Sequence, residues 1–447
     1  MINPTTRKPR VFISHSSRRR TAEELREGDT PNRHHYRKEF LGFLLDRLES
    51  AIGDAGFEVW VDRSQIAAGE EFEQKLSFAL YTCDIGIILI DLDALDSAYV
   101  RKESTILMWR HQMDGIWTIP VLLSGVNATD LAGSHLGPAP VGLSSLSLLS
   151  APSSKLNRQA AEELADLITG ELTKGAKLPE RDSPSTRWIQ DFVELTSGVS
   201  VERLWRVAEP LGVDRAEWQR AREPHAMVAA AMLGADLHSV YKALVQLMSL
   251  VDEEKARAKT VQRALPLWVD LDAAKIVVDV GALPADQRVL AIATPAYRLG
   301  RHVIERGTFS APEYATLPVP DPVGEEPFAE LLHRYETTLR RTLHFFGDDT
   351  SETFASELDA LGGRVFTLMR CEHLDPTTTV RLLEALRKRL PGIVYVLLGR
   401  GESNVWRKVE APMVYRSPRA DWERSARRYV SRMASLVGEE IAVESDD

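Results

Sequence analysis

Two acids in the first quarter of the chain have the residue types and the spacing for chemistry. Asp62 ends the short alternating run 58–62, and Glu103 follows Tyr99 by four residues in a stretch opened by Ser97. A carboxylate held beside a sugar can stabilise an oxocarbenium-like centre or bind hydroxyls, as paired carboxylates do in glycoside hydrolysis. The plain alternatives are an exposed Glu103 paired with Arg101 or Lys102, and an Asp62 that only forms a turn. Arg18-Arg19-Arg20 offer forked donors suited to a diphosphate, or form a solvated basic run. Cys371-Glu372-His373 with Asp375 has the residue types of a metal site, but the spacing is too tight and no second cluster completes four ligands. A buried cysteine at a strand end and a surface histidine account for it better. Gly399-Arg400-Gly401 follows an apolar run, where backbone N–H groups can hold an anion; a lone Gly-x-Gly is more often a turn. No GxxxxGK[ST] is present, so neither a P-loop nor NTPase activity is expected.

The elements around these acids follow from periodicity. Val11–Ile13 reads as a short buried strand, and 16–33 as a polar, enlarged loop. A helix beginning near Tyr36 carries Phe40, Phe43, Leu44 and Leu48 on its buried side, and Gly53 and Gly56 close it. The strand 58–62 leads into a loop containing Gly69. The helix Glu70–Tyr81 carries Phe72, Leu76, Ala79 and Leu80 on one face. Ile85–Ile90 is apolar throughout, the mark of a strand buried on both faces, and a helix with Glu103 follows. This order predicts a parallel α/β unit whose ligands sit beyond the strand C-termini, where Asp62 and Glu103 both project. Trp117–Leu123 is a further strand, with Pro120 marking an edge or bend. The span 125–154 is loop-like, 156–172 an amphipathic helix and 174–186 a linker. Trp60, Trp109 and Trp117 read as core or rim packing.

Together with VFISHSS (Val11–Ser17), this stretch resembles a Toll/interleukin-1 receptor (TIR) domain. Four pieces come in the family's order: a strand followed by Ser14-His15-Ser16, a second strand ending at Asp62, the loop Ile66-Ala67-Ala68-Gly69, and Ser97-x-Tyr99-x-x-x-Glu103. The resemblance covers the first third of the chain and implies a flavodoxin-like fold. In TIR enzymes that cleave NAD+, an aromatic residue stands four positions before the catalytic glutamate. Tyr99 and Glu103 have that spacing, although the family more often has Trp at the aromatic position. The resemblance therefore implies Glu103 as the catalytic residue, with Ser14, His15, Ser16, Asp62, Gly69 and Tyr99 lining the nucleotide. NAD+ is then a substrate, with no cofactor and no metal. Tyr99 either stacks on a ring of the nucleotide or packs in a helix interface, and His15 reads as structural more often than catalytic. In TIR enzymes the loop Arg63–Gly69 contacts a neighbouring domain, which implies self-association. The 16–33 insertion either gates the pocket or is a solvated surface feature. Signalling-only TIR adaptors commonly lack the glutamate; a non-enzymatic scaffold is the alternative reading.

The chain has 447 residues, which by length suggests about three domains. The expected division is a TIR-like domain over 1–174, a helical region over 188–264, and an α/β domain over 265–440. The last holds strands over 289–293, 363–369 and 393–398, a helix over 377–390, and an irregular Pro-rich stretch over 309–327. Regions of this kind, α/β but without phosphate motifs, resemble the sensor or inactive nucleotide-binding-like parts behind TIR domains in bacterial conflict proteins. The resemblance implies a trigger, either a small molecule such as a cyclic nucleotide or a protein, and NAD+ depletion as an anti-phage response. The net charge of −10 argues against direct nucleic-acid binding, because phosphate affinity comes from clustered Lys and Arg. Two cysteines cannot build a disulfide framework, and the sequence has no signal-peptide pattern or apolar run of roughly 18 residues. A soluble cytoplasmic protein without membrane contact is expected.

Overall fold

Val11, Phe12 and Ile13 alternate between two faces yet are all buried, because the strand they form, β1 (Arg10–Ser14), has helices on both sides. The computed structural model describes residues 8–16, 30–61, 71–138, 141–151, 155–175, 183–294, 296–318, 328–342, 363–371, 375–390, 392–399, 413–415 and 422–437. After β1 come α1 (Pro31–Asp54), β2 (Glu58–Val61), α2 (Glu71–Thr82), β3 (Ile85–Ile90), α3 (Ala98–Asp114), β4 (Trp117–Leu122), α4 (Ala128–Ala132), β5 (Leu149–Ser150) and α5 (Arg158–Gly175). The strands form one parallel sheet in the order β2-β1-β3-β4-β5, the flavodoxin-like order. Odd-numbered side chains of β1, β3 and β4 join Phe40, Leu44 and Leu48 of α1 and Ala161, Leu164 and Ile168 of α5 in one core. On the other face α3 lies directly on β3: a Cβ at Gly86 would come within 2.7 Å of Leu107.

Four details differ from the sequence pattern. Helix α1 starts at Pro31, before Tyr36, and proline suits a first helical turn. Phe43 is 45% exposed rather than buried; Leu41, Leu45 and Ile52 complete the stripe instead. Pro120 does not mark a sheet edge, since β4 lies between β3 and β5. Its nitrogen faces the β5 side, where the two-residue β5 pairs only with Val121 and Leu122, so no ladder bond is lost. The span 125–154 is also more than loop: it contains α4, with a capping box between Asn127 and Asp130, and β5 itself.

The helical stretch comprises α6 (Pro184–Thr196), α7 (Val201–Ala208), α8 (Arg215–Arg220), α9 (Pro224–Gly234), α10 (Leu237–Met248) and α11 (Glu254–Ala264). It is not a body of its own. The chain divides into two compact units, Met1–Val193 with Ser200–Ala243, and Glu194–Val199 with Leu244–Asp447. The first unit thus continues past 174, and the helices are shared between the units. Within the first, α9 packs on α2, so closely that a Cβ at Gly234 would collide with the Ser77 side chain.

The second unit continues with α12 (Leu271–Ala282), β6 (Val289–Ile292), α13 (Tyr297–Gly307), β7 (Ala315–Pro318), α14 (Phe328–Thr342), β8 (Val365–Arg370), α15 (Pro376–Arg389), β9 (Ile393–Leu398), β10 (Met413–Tyr415) and α16 (Trp422–Ser435). Its strands are all parallel, in the order β10-β6-β9-β8-β7. Leu331 and Tyr335 of α14 and Leu382 and Leu386 of α15 cover one face. Strand β7 falls inside the stretch read as irregular; at the sheet edge a terminal Pro318 is tolerated. Among the described residues, no helix is long and apolar enough to cross a membrane.

Gly363, at the approach to β8, has φ +76, and a Cβ there would come within 2.1 Å of the Gly281 carbonyl oxygen. Both the backbone angle and the space therefore demand glycine. Gly363→Ala is expected to lower stability by at least about 2 kcal/mol, read as a shift in denaturant midpoint. An unshifted midpoint would show that the end of α12 can move away freely.

Trp268 Nε1–H donates to His302 Nδ1 at 2.9 Å, deep in the second unit. Burial, with Arg298 and Arg301 nearby, lowers the pKa of His302 to about 3. The unfolded chain takes up this proton below about 6.5, whereas the native ring refuses it until about 3. The stabilisation is therefore complete above the unfolded value and declines as pH falls through this window, by roughly 1.4 kcal/mol per pH unit. Denaturation between pH 7 and 4 should show this slope, and His302→Asn, whose amide oxygen can still accept from Trp268, should flatten it.

Candidate active site

From β1 the chain moves to β2 on one side of the sheet, then crosses to β3 on the other. In open α/β sheets, ligands bind beyond the strand C-termini at such a switch point. His15 and Ser16 leave β1 here, and Asp91 and Asp93 leave β3.

Helix α3 delivers Glu103 to this edge. Ser97 caps it, its Oγ accepting the Val100 N–H at 3.2 Å. Tyr99 in the first turn and Glu103 one turn later share a face. Glu103 is fully buried, and its Oε2 accepts a hydrogen bond from Ser14 Oγ at the end of β1. Burial thereby rules out an exposed surface glutamate. Ser14 orients the carboxylate without bringing a second charge. Tyr99 is half-buried, while His15 and Ser16 are buried. Ser16 is only 3% exposed, and its Oγ has no hydrogen-bond partner among the described residues. Asp62, Gly69 and Arg18-Arg19-Arg20 lie outside the described residues.

A group of charges at the same edge was not singled out from the sequence. Lys38 of α1 donates to the Ser16 carbonyl oxygen at 3.0 Å and lies 3.1 Å from Asp91 Oδ2 and 2.8 Å from Asp93 Oδ2. His34 Nδ1 is 3.6 Å from Asp93 Oδ2, and an Arg37 nitrogen lies 3.5 Å from His34 Nδ1. The legible signal was two acids directly after a wholly apolar strand; nothing in the pattern pointed to Lys38.

At its far end α3 is anchored by a second buried group. Arg110 Nε donates to Asp114 Oδ2 at 2.7 Å, and its Nη1 to the Leu80 and Cys83 carbonyl oxygens, each at 2.7 Å. Asp114 also accepts from the Ser185 backbone N–H at 3.2 Å and from the Ser185 hydroxyl of α6. Burial works against the Arg110 charge, but Asp114 and Cys83 together hold its pKa above the usual value. Burial pushes the Cys83 thiol up to about 11 against the pull of Arg110, so this cysteine is no nucleophile. The other sequence candidates lie in the second unit. Cys371 is buried in the core, and Asp375 caps α15 by accepting from Thr377 and Thr378. Glu372, His373, Arg400 and Gly401 lie outside the described residues.

No curated protein matches the chain. Residues 36–145, from within α1 to the turn preceding β5, match the TIR domain family, and that part of the chain is a TIR domain.

Proposed function

We propose that this protein is a TIR-type NAD+ hydrolase that cleaves the nicotinamide–ribose bond. The observation that carries the reading is Glu103: a fully buried carboxylate, held by Ser14 at the switch point of the sheet, one turn after Tyr99. As nicotinamide departs, positive charge develops over the ribose C1 and ring oxygen. A carboxylate fixed in advance stabilises that charge most where water is excluded. Water or a group of the substrate itself then bonds to C1, giving ADP-ribose in open or cyclised form. Tyr99 stacks on the nucleotide, and Ser16, whose buried hydroxyl has no partner among the described residues, bonds to it, alongside His15, Asp62 and Gly69. This chemistry needs neither a cofactor nor a metal.

In this reading, activity depends on self-association of TIR domains, and the second unit senses the trigger, a small molecule such as a cyclic nucleotide or a protein. Depletion of cytoplasmic NAD+ then serves anti-phage defence. Support comes from the second unit itself, a five-stranded sheet with helices; a mere tether needs no such order. The test uses the full-length chain, free and fused to an unrelated oligomerising domain, with nicotinamide release from NAD+ followed over time. Release should rise with protein concentration and with enforced association. If the associated protein releases none, the TIR domain is a scaffold.

A further inference from the structure

We infer that Lys38 is a positioning residue for the Ser14–Glu103 pair, acting as a clamp between the segment that leaves β1 and the turn that leaves β3. The inference rests on the hydrolase reading only for its effect on turnover. A lysine ammonium has three protons; this one donates to the Ser16 carbonyl oxygen at 3.0 Å and to Asp91 Oδ2 at 3.1 Å, and forms an ion pair with Asp93 Oδ2 at 2.8 Å. Held between a carbonyl oxygen and two carboxylates, Lys38 is spent on internal contacts rather than on a substrate phosphate. Asp91 is itself tied to its own turn, since its Oδ1 accepts the Ala94 N–H at 2.7 Å. The β1–β3 ladder pairs Ser14 with Ile88 and goes no further, so His15 and Ser16 lie beyond it. The path of restraint runs from the β3 turn through Lys38 to the Ser16 carbonyl, two residues from the hydroxyl that holds Glu103.

Lys38→Met alone would take the ammonium from two buried carboxylates and risk unfolding the unit. The informative variant is Lys38→Met/Asp91→Asn/Asp93→Asn in the full-length chain, where all three charges go and an amide at 91 can still accept from Ala94. Thermal melting shows that the variant is folded. Amide exchange in the peptide 10–16 is expected to quicken about tenfold. The kcat for NAD+ should fall about tenfold to a hundredfold, while KM changes little, because the displaced groups act on the reacting centre. Asp93→Asn alone, which leaves one carboxylate for the one ammonium, should shift both readings the same way but less, and serves as the test if the triple variant does not fold. Unchanged exchange overturns the clamp. Faster exchange with unchanged kcat overturns the positioning role. A wild-type chain that releases no nicotinamide sinks the hydrolase reading instead, and exchange still decides the clamp.

Discussion

Glu103→Gln is expected to slow NAD+ cleavage by at least about a hundredfold, the scale of loss when one electrostatic stabiliser is removed from a preorganised site. Glutamine matches the glutamate in size and can still accept from Ser14 through its amide oxygen, so the Ser14 contact and the packing of α3 survive. Only the negative charge is lost. The fall should therefore appear in kcat, with KM close to wild type. Because the substitution removes a charge from a fully buried position without opening a cavity, melting should hold or rise. Ser14→Ala is the companion: it leaves the charge but frees its orientation, and should cost less. Near-normal turnover by Glu103→Gln would remove this carboxylate from the mechanism, whatever else the TIR domain does.

Asp114→Ala carries the largest expected loss of stability. It leaves the Arg110 guanidinium in a dry site with carbonyl acceptors but no bonded carboxylate, and takes from Ser185 the acceptor for both its N–H and its hydroxyl. Breaking a buried pair on one side typically costs about 3–5 kcal/mol. In the first unit this should appear as a clear drop in melting temperature and as detachment of α6, read by faster amide exchange over 184–193. Arg110→Met with Asp114→Leu, which removes both charges, should recover part of the loss. The site should be spared below the melting transition, since Glu103 lies about two turns from Arg110 along α3. A stable Asp114→Ala protein would mean that water reaches Arg110 readily.

In the middle strand of each sheet, the sequence reading and the structure agree to the residue. Ile85–Ile90 and Ile393–Leu398 are apolar at every position, and each forms a central strand with those limits. The reading fails where a neighbour decides the outcome. Strand β7 is only Ala-Thr-Leu-Pro; it exists because β8 offers a ladder on one side. Phe43 fits an apolar helical count but lies on the side of α1 away from the α5 contact, a distinction that three dimensions alone supply. The boundary at 174 looked natural because the following residues are polar, yet Ser185 and Gly234 pack against Asp114 and Ser77 of the same unit. For the candidate site, the spacing of Ser97, Tyr99 and Glu103 was enough to place the carboxylate on a capped helix. The burial of Glu103 and its bond to Ser14, 89 residues away in sequence, were not legible. Lys38 is far from Asp91 and Asp93 in sequence, and the three share no motif that links them; only the fold turns them toward one another.

Among the described residues, both sheets end in short strands: four residues in β2 and two in β5 for the first, three in β10 and four in β7 for the second. So little unpaired backbone gives an incoming strand a poor template. Copies of this protein that gather around a trigger would therefore not do so by running a sheet from one molecule into the next. Their contacts would be made by side chains of helices and loops, which can separate again when the signal ends. In this respect the architecture favours a reversible switch over a fibre, and infrared spectra of the gathered state should lack the narrow low-frequency band of intermolecular β structure.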